Sequence, residues 1–122
     1  MGGLTQAYAL IGEHNKRYGH KADIYRHETT TNNLGQPVLG ELKKVYSNVS
    51  LTYKERRYPP KDLTVEGIKF SSYYDASINS TTDDGDSVIL QDRDKVYIGN
   101  EVYDIIEPKL EPFGYMALMI RQ

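Results

Sequence analysis

The chain has 122 residues, 39% hydrophobic and 26% charged, with a net charge of −2 and no cysteine. That length fits one domain, residues 1–122, with a core large enough to fold without disulfides or metals. The missing cysteines exclude a disulfide framework, a thiolate nucleophile and a zinc ribbon, and suit a reducing cytosol, while the slight acidity argues against wholesale DNA wrapping.

In chain order, Met1 to Gln6 carries neither a basic region nor an apolar core, so no secretory signal is expected. Residues 4–18 place Leu4, Tyr8, Ile11 and Asn15 or Tyr18 at three- and four-residue spacing, with Gly19 positioned to stop a helix. The apolar stripe is thin, so this short amphipathic helix must dock, either on its own domain or on a neighbouring subunit.

From His20 the period changes to two. Residues 21–28 form a first strand with Ala22 and Ile24 on one face and Asp23, Tyr25 and His27 on the other. Thr29 to Pro37 reads as turn chemistry. A second strand at 42–54 sets Val45, Val49, Leu51 and Tyr53 against a wet face of Lys44, Tyr46, Asn48, Ser50, Thr52 and Lys54. Residues 55–67 hold adjacent prolines and read as a protruding loop. A third strand, 68–79, alternates Ile68, Phe70, Tyr74, Ala76 and Ile78 with Lys69, Ser71, Tyr73, Asp75, Ser77 and Asn79. The acidic turn Ser80 to Asp86 ends it.

Four short strands follow: Val88–Gln91, Lys95–Ile98, Glu101–Glu107 and Gly114–Arg121. Gly99-Asn100 is the two-residue connection of a type II′ hairpin. Pro108 and Pro112 bracket the bend before the last strand, whose two apolar faces predict burial on both sides or contact with a partner. The fold expected is mainly β: a small antiparallel barrel or sandwich of about six strands over 21–121, with a short N-terminal α-helix.

The parts needed for catalysis are not evident. His14, His20 and His27 lack the spacing of a metal triad. Asp83, Asp84 and Asp86 around Gly85 fall short of a calcium loop, and no nucleophile elbow or Walker loop is present. No catalytic, cofactor-binding or metal-ligating residue is assigned, no cofactor is expected, and the chain reads as no enzyme. With no long apolar run, no membrane partner is expected either.

Two charged segments stand out. Lys54, Arg56, Arg57 and Lys61, with Tyr58 and the prolines between them, make a stiff basic loop, and Asp83, Asp84 and Asp86 make an acidic one. Opposite charges of this kind select the register of a head-to-tail contact between copies, and the basic loop also suits a passing DNA backbone. The alternative use of such loops is plain solvation. The eleven tyrosines, beside two phenylalanines and no tryptophan, suit surfaces that both pack and stay wet, including protein–protein interfaces.

The run His20-Lys21-Ala22-Asp23-Ile24-Tyr25-Arg26, the turn containing Leu34-Gly35-Gln36-Pro37, the long second strand and the hairpin within Asp92 to Ile106 resemble the small head–tail connector proteins of long-tailed phages. The likeness is to the head-closure, or stopper, type carried by defective prophages of bacilli. It implies a β-barrel subunit that forms a ring between portal or adaptor and tail in the particle neck, after assembly in the bacterial cytoplasm. It also implies help in retaining packaged DNA, with the loop at 54–67 reaching into the channel. Two alternatives stand beside it. One is an oligonucleotide-binding barrel that stacks bases on Tyr46, Tyr73 and Tyr97; the other is a tail-side terminator or adaptor of the same fold class.

Overall fold

A computed structural model describes residues 2–55 and 73–122, with side chains described from Leu10 onward. The chain is mainly β, a closed barrel of six antiparallel strands with one N-terminal helix. The elements are α1 (Gly2–Tyr18), β1 (His20–Thr31), β2 (Pro37–Glu55), β3 (Tyr73–Thr82), β4 (Lys95–Ile98), β5 (Glu101–Glu111) and β6 (Gly114–Arg121). Around the barrel the strands run β1-β2-β3-β6-β5-β4, and β4 returns to β1.

The core is what period two predicts for a half-buried sheet. Ala22 and Ile24 of β1, Val49 and Leu51 of β2, Ala76 and Ile78 of β3, Val96, Ile105, Ala117 and Met119 all point inward and pack together. Burying a side chain of the Leu or Ile class contributes about 1.5–3 kcal/mol, so this interior carries most of the stability. The Gly99-Asn100 hairpin forms as expected, with Gly99 at φ 58 between the paired Ile98 and Glu101. β6 is buried fully on its inner face and partly on its outer one, where Leu118 is half-buried and Met116 exposed. Tyr115, Ala117 and Met119 join the main core, while Ile120 packs with Tyr73 and Ile106 in a second cluster on the outer face.

Several boundaries differ from the sequence pattern. The register of β1 against β2 slips between Ala22 and Ile24, because β2 carries an extra residue there, and Asn48 sits at φ 57. Such a bulge reverses which face the following residues occupy. Tyr46 therefore packs against the core and Val45 is exposed, the opposite of the expected faces. Tyr73, expected on the wet face of β3, is buried in the second cluster. β5 continues past Glu107 to Glu111 through a bulge with Glu107 at φ 49, which lets Pro108 sit within the strand. The portion of the third predicted strand before Tyr73 lies outside the described residues.

Val88–Gln91 is not a strand. Val88 and Leu90 are buried and Ile89 is exposed, so the alternation is real, but the backbone bonds elsewhere. The Ile89 amide donates to the Tyr46 hydroxyl at 3.0 Å, the Ile89 carbonyl accepts from Arg26 Nη2 at 2.8 Å, and the Gln91 amide donates to Asp94 at 2.9 Å. Apart from the Val88 amide, which donates to the Ser80 carbonyl at 2.8 Å, side chains thus replace a ladder, and the segment contributes Val88 and Leu90 to the core.

The helix docks on its own barrel. Asn15, 2% exposed, donates through Nδ2 to the Ser77 carbonyl, the Ser77 hydroxyl and Asn79 Oδ1 at 3.1–3.2 Å. Its Oδ1 accepts from the Thr52 hydroxyl at 2.9 Å. Asn79 answers by donating to the Gly12 carbonyl at 3.1 Å. Full satisfaction of a buried amide explains why a polar residue occupies this place in the stripe.

The turn between β1 and β2 is shorter than Thr29 to Pro37. The ladder continues to the Thr31–Pro37 pair, leaving residues 32–36 as the turn. Asn32 Oδ1 accepts the amides of Leu34 and Gln36 at 2.9 and 3.0 Å, an Asx arrangement that fixes it. β4 pairs with β1 only at residues 23–25, and β3 pairs with β2 only from Val49 onward. Between these limits and the turn, β1 and β2 have only each other and form a two-stranded arm, exposed throughout residues 28–39.

Candidate interaction surfaces

The acidic turn follows β3 and packs beside the Asn48 bulge, where the Asp83 amide donates to the Asn48 carbonyl at 3.0 Å. Asp83 is already engaged within the chain. Its Oδ2 lies 2.8 Å from Lys21 Nζ and its Oδ1 accepts from the Ser50 hydroxyl at 3.1 Å. The hydrogen bond from Lys21, helped by Ser50, holds the Asp83 carboxyl below its ordinary value of 3.8. Asp84 and Asp86 remain exposed and line a depression with Lys44, Val45, Tyr46 and Ser47.

A depressed carboxyl adds stability above its unfolded value and loses it as pH falls through the folded one. Replacing Lys21 with Ala should therefore destabilise the protein at neutral pH, and the difference from wild type should shrink below 3.8. Urea unfolding of both proteins at neutral and strongly acid pH measures this. The pair is partly solvent-screened, so the effect should also weaken with salt.

Of the expected basic loop, Lys54 is described, exposed near the end of β2, and pairs in register with Asp75. Arg56, Arg57, Tyr58 and Lys61 lie outside the described residues. Topology places Lys54 and the acidic turn. Glu55 pairs with Tyr74 at one end of the β2–β3 ladder and Val49 pairs with Thr82 at the other. Lys54, the described member of the basic set, lies toward the first end and the acidic turn follows the second, so Lys54 and the acidic turn are not brought together within one chain.

One ion pair had no counterpart in the sequence reading. Asp94 is 1% exposed and takes a two-pronged contact from Arg26, Nε to Oδ1 at 2.8 Å and Nη2 to Oδ2 at 2.7 Å. The hydrogen bond to Asp94 raises the Arg26 guanidinium further. The signal was present: Arg26 follows Ala22 and Ile24 at period two, and a charge on a core face requires a buried partner. Lys95 and Asp104 form a second close pair on the neighbouring strands.

The tyrosines divide into two groups. Tyr53, Tyr74 and Tyr103 meet edge-on or tilted at centroid distances of 5.4–5.5 Å. Burial, then the Tyr53 hydroxyl, pushes the Tyr103 phenol well above the usual range. Tyr25 and Tyr97 lie on the outer face at 4.4 Å, with Lys44 Nζ 5.9 Å from the Tyr25 ring centre. Of the three expected base-stacking residues, Tyr73 is 2% exposed and Tyr46 is committed to Ile89, leaving Tyr97. The histidines are scattered: His14 lies against Tyr18, His20 against Tyr53, and His27 Nδ1 contacts the Gly40 carbonyl at 3.1 Å.

No family model and no curated protein matches the sequence. Among solved structures, the chain is similar to the phage-like element PBSX protein xkdH from Bacillus subtilis, with a TM-score of 0.51 and 14% sequence identity. The match covers 84% of this chain and 93% of that one, so the two proteins share a fold along nearly their whole length.

Proposed function

We propose that this chain is a non-catalytic structural subunit of a phage or phage-like particle, a head–tail connector of the head-closure type. It forms a ring between portal or adaptor and tail, in the neck, and helps to retain packaged DNA. The observation that carries the reading is the shared barrel: the solved neighbour is described as a protein of a phage-like element, and the match leaves little of either chain unaccounted for. Charge placement supports it. Lys54 toward one end of the β2–β3 ladder and acidic Asp84 and Asp86 beyond the other suit head-to-tail contacts between copies. The burial of Tyr73 and the internal role of Tyr46 weigh against the oligonucleotide-binding alternative.

Deleting the gene and imaging the particles tests the reading. Heads and tails made but unjoined are the expected result. Normal joined, DNA-filled particles would overturn it, and tails of irregular length would instead move the protein to the tail side. In the same strain, a chain carrying Arg56→Glu and Arg57→Glu should fold normally yet restore few DNA-filled, joined particles, if the basic segment faces the channel.

A further inference from the structure

We infer that the β1–β2 arm is the surface through which copies of this chain join, the β1 edge of one arm pairing with the β2 edge of the next. The inference rests on the ring proposed above and names the element that builds it.

The barrel satisfies its strands by closing, and the arm does not. On one side of the arm Arg26 to Thr31 of β1 has no strand beyond it, and on the other side Pro37 to Ser47 of β2 has none. Among the described residues the β2 side is the longest unpaired strand edge. A two-stranded ribbon is marginal in water by itself, and a third strand or a covering surface is what makes one stable. Natural proteins guard such edges with charge. The short free edge near the end of β5 is guarded in this way, by Lys109 and Glu111. The base of the arm carries Arg26, Glu28, Glu41, Lys43 and Lys44, but its outer part differs: residues 29–40 contain no charged side chain, and Leu34 and Leu39 there are 82% and 78% exposed.

That composition selects the occupant. With no lysine or arginine across those residues, the tip has no cation to neutralise phosphates, which argues against nucleic acid as its occupant. Identical surfaces meeting around a ring risk setting like charges together, and an uncharged stretch avoids this without needing any exact complement. A free strand edge needs another free strand edge, and every copy supplies two.

Geometry then selects the mode. Copies sharing one orientation about an axis set β1 of one arm beside β2 of the next. Because β1 and β2 are antiparallel within the arm, the junction is antiparallel too, continuing the same hydrogen-bond pattern. Each arm spends both edges, so the contact repeats until the ring closes. Two-fold pairing of like edges would leave one edge of every arm free.

The turn also fixes which amides face outward. The Asn32 amide donates to the Gln36 carbonyl at 3.0 Å across the arm. Alternation from that pair turns the amides of Thr29, Thr31 and Leu39 outward and gives Pro37, which lacks a donor, an outward place. Thr29→Pro therefore removes a donor for the neighbour and none within the arm.

The test uses the full chain. Sedimentation over rising concentration should show wild-type self-association, and Thr29→Pro should weaken it at least about tenfold with the circular dichroism spectrum unchanged. Thr29→Lys serves if the proline variant misfolds. Because the chain has no cysteine, a short bis-maleimide reports the pairing directly. A mixture of Thr31→Cys and Leu39→Cys chains should give cross-linked dimers that neither variant gives alone. Dimers from Thr31→Cys alone would overturn the proposal in favour of two-fold pairing. A wild-type chain monomeric at every concentration, or unaffected by both edge variants, would also overturn it. If the Thr29→Pro chain joins heads to tails in the deletion strain, the arm assignment fails while the connector reading stands.

Discussion

Arg26→Met should cost about 3–5 kcal/mol of stability, the range for leaving a buried charge without its partner. Asp94 has nowhere to turn, since it is 1% exposed and its remaining contact is the Gln91 amide. The same substitution removes the donor that satisfies the Ile89 carbonyl, so the segment carrying Val88 and Leu90 loosens as well. Urea denaturation measures the loss. Asp94→Ala should be similarly damaging. The double variant should lose clearly less than the sum, because both single changes break the one contact and the second no longer strands a charge. Additive losses would show that the pair contributes little and that the segment is held by packing.

Gly114→Ala should be comparably severe, at about 3–5 kcal/mol, for a reason unconnected with charge. Gly114 opens β6 at φ 141, and a Cβ there would stand 2.4 Å from the Ile78 carbonyl oxygen. That oxygen belongs to a strand in register with β6, where Ile78 pairs with Tyr115, so neither side can yield without disturbing the ladder. Gly85→Ala is the control. It too has positive φ, 92, but no atom within 4 Å, so it should lose only about 1 kcal/mol from the backbone conformation itself. Thermal unfolding of the two variants separates steric overlap from torsional strain.

Much of the barrel was legible because its physics is local. Alternation placed Ala22, Ile24, Val49, Leu51, Ala76 and Ile78 on the interior, and Gly99-Asn100 named its own turn. What failed depended on events elsewhere in the chain. An extra residue near Asn48 exchanged the faces of Val45 and Tyr46, and nothing in a period-two pattern announces an inserted residue. Val88 to Gln91 has the alternation of a strand, yet it bonds to the side chains of Tyr46 and Arg26, distant in sequence, and of Asp94 just downstream. The arm was read as a loop because Asn, Gly and Pro signal a turn without saying how far the flanking ladder runs. The acidic turn was read as one free patch, but Lys21 and Ser50 claim Asp83 and leave Asp84 and Asp86 outward.

The joint between β1 and β4 has a temporal consequence. It consists of three residue pairs, Asp23–Tyr97, Ile24–Val96 and Tyr25–Lys95, flanked by an Arg26–Asp94 contact spanning 68 positions of sequence. On a ribosome the first strand emerges long before its last neighbour exists, and the entropy of bringing such distant segments together must be met before the joint repays it. The barrel is thus fastened late in folding, after its hairpins have formed, and until then β1 carries its apolar residues on an open edge.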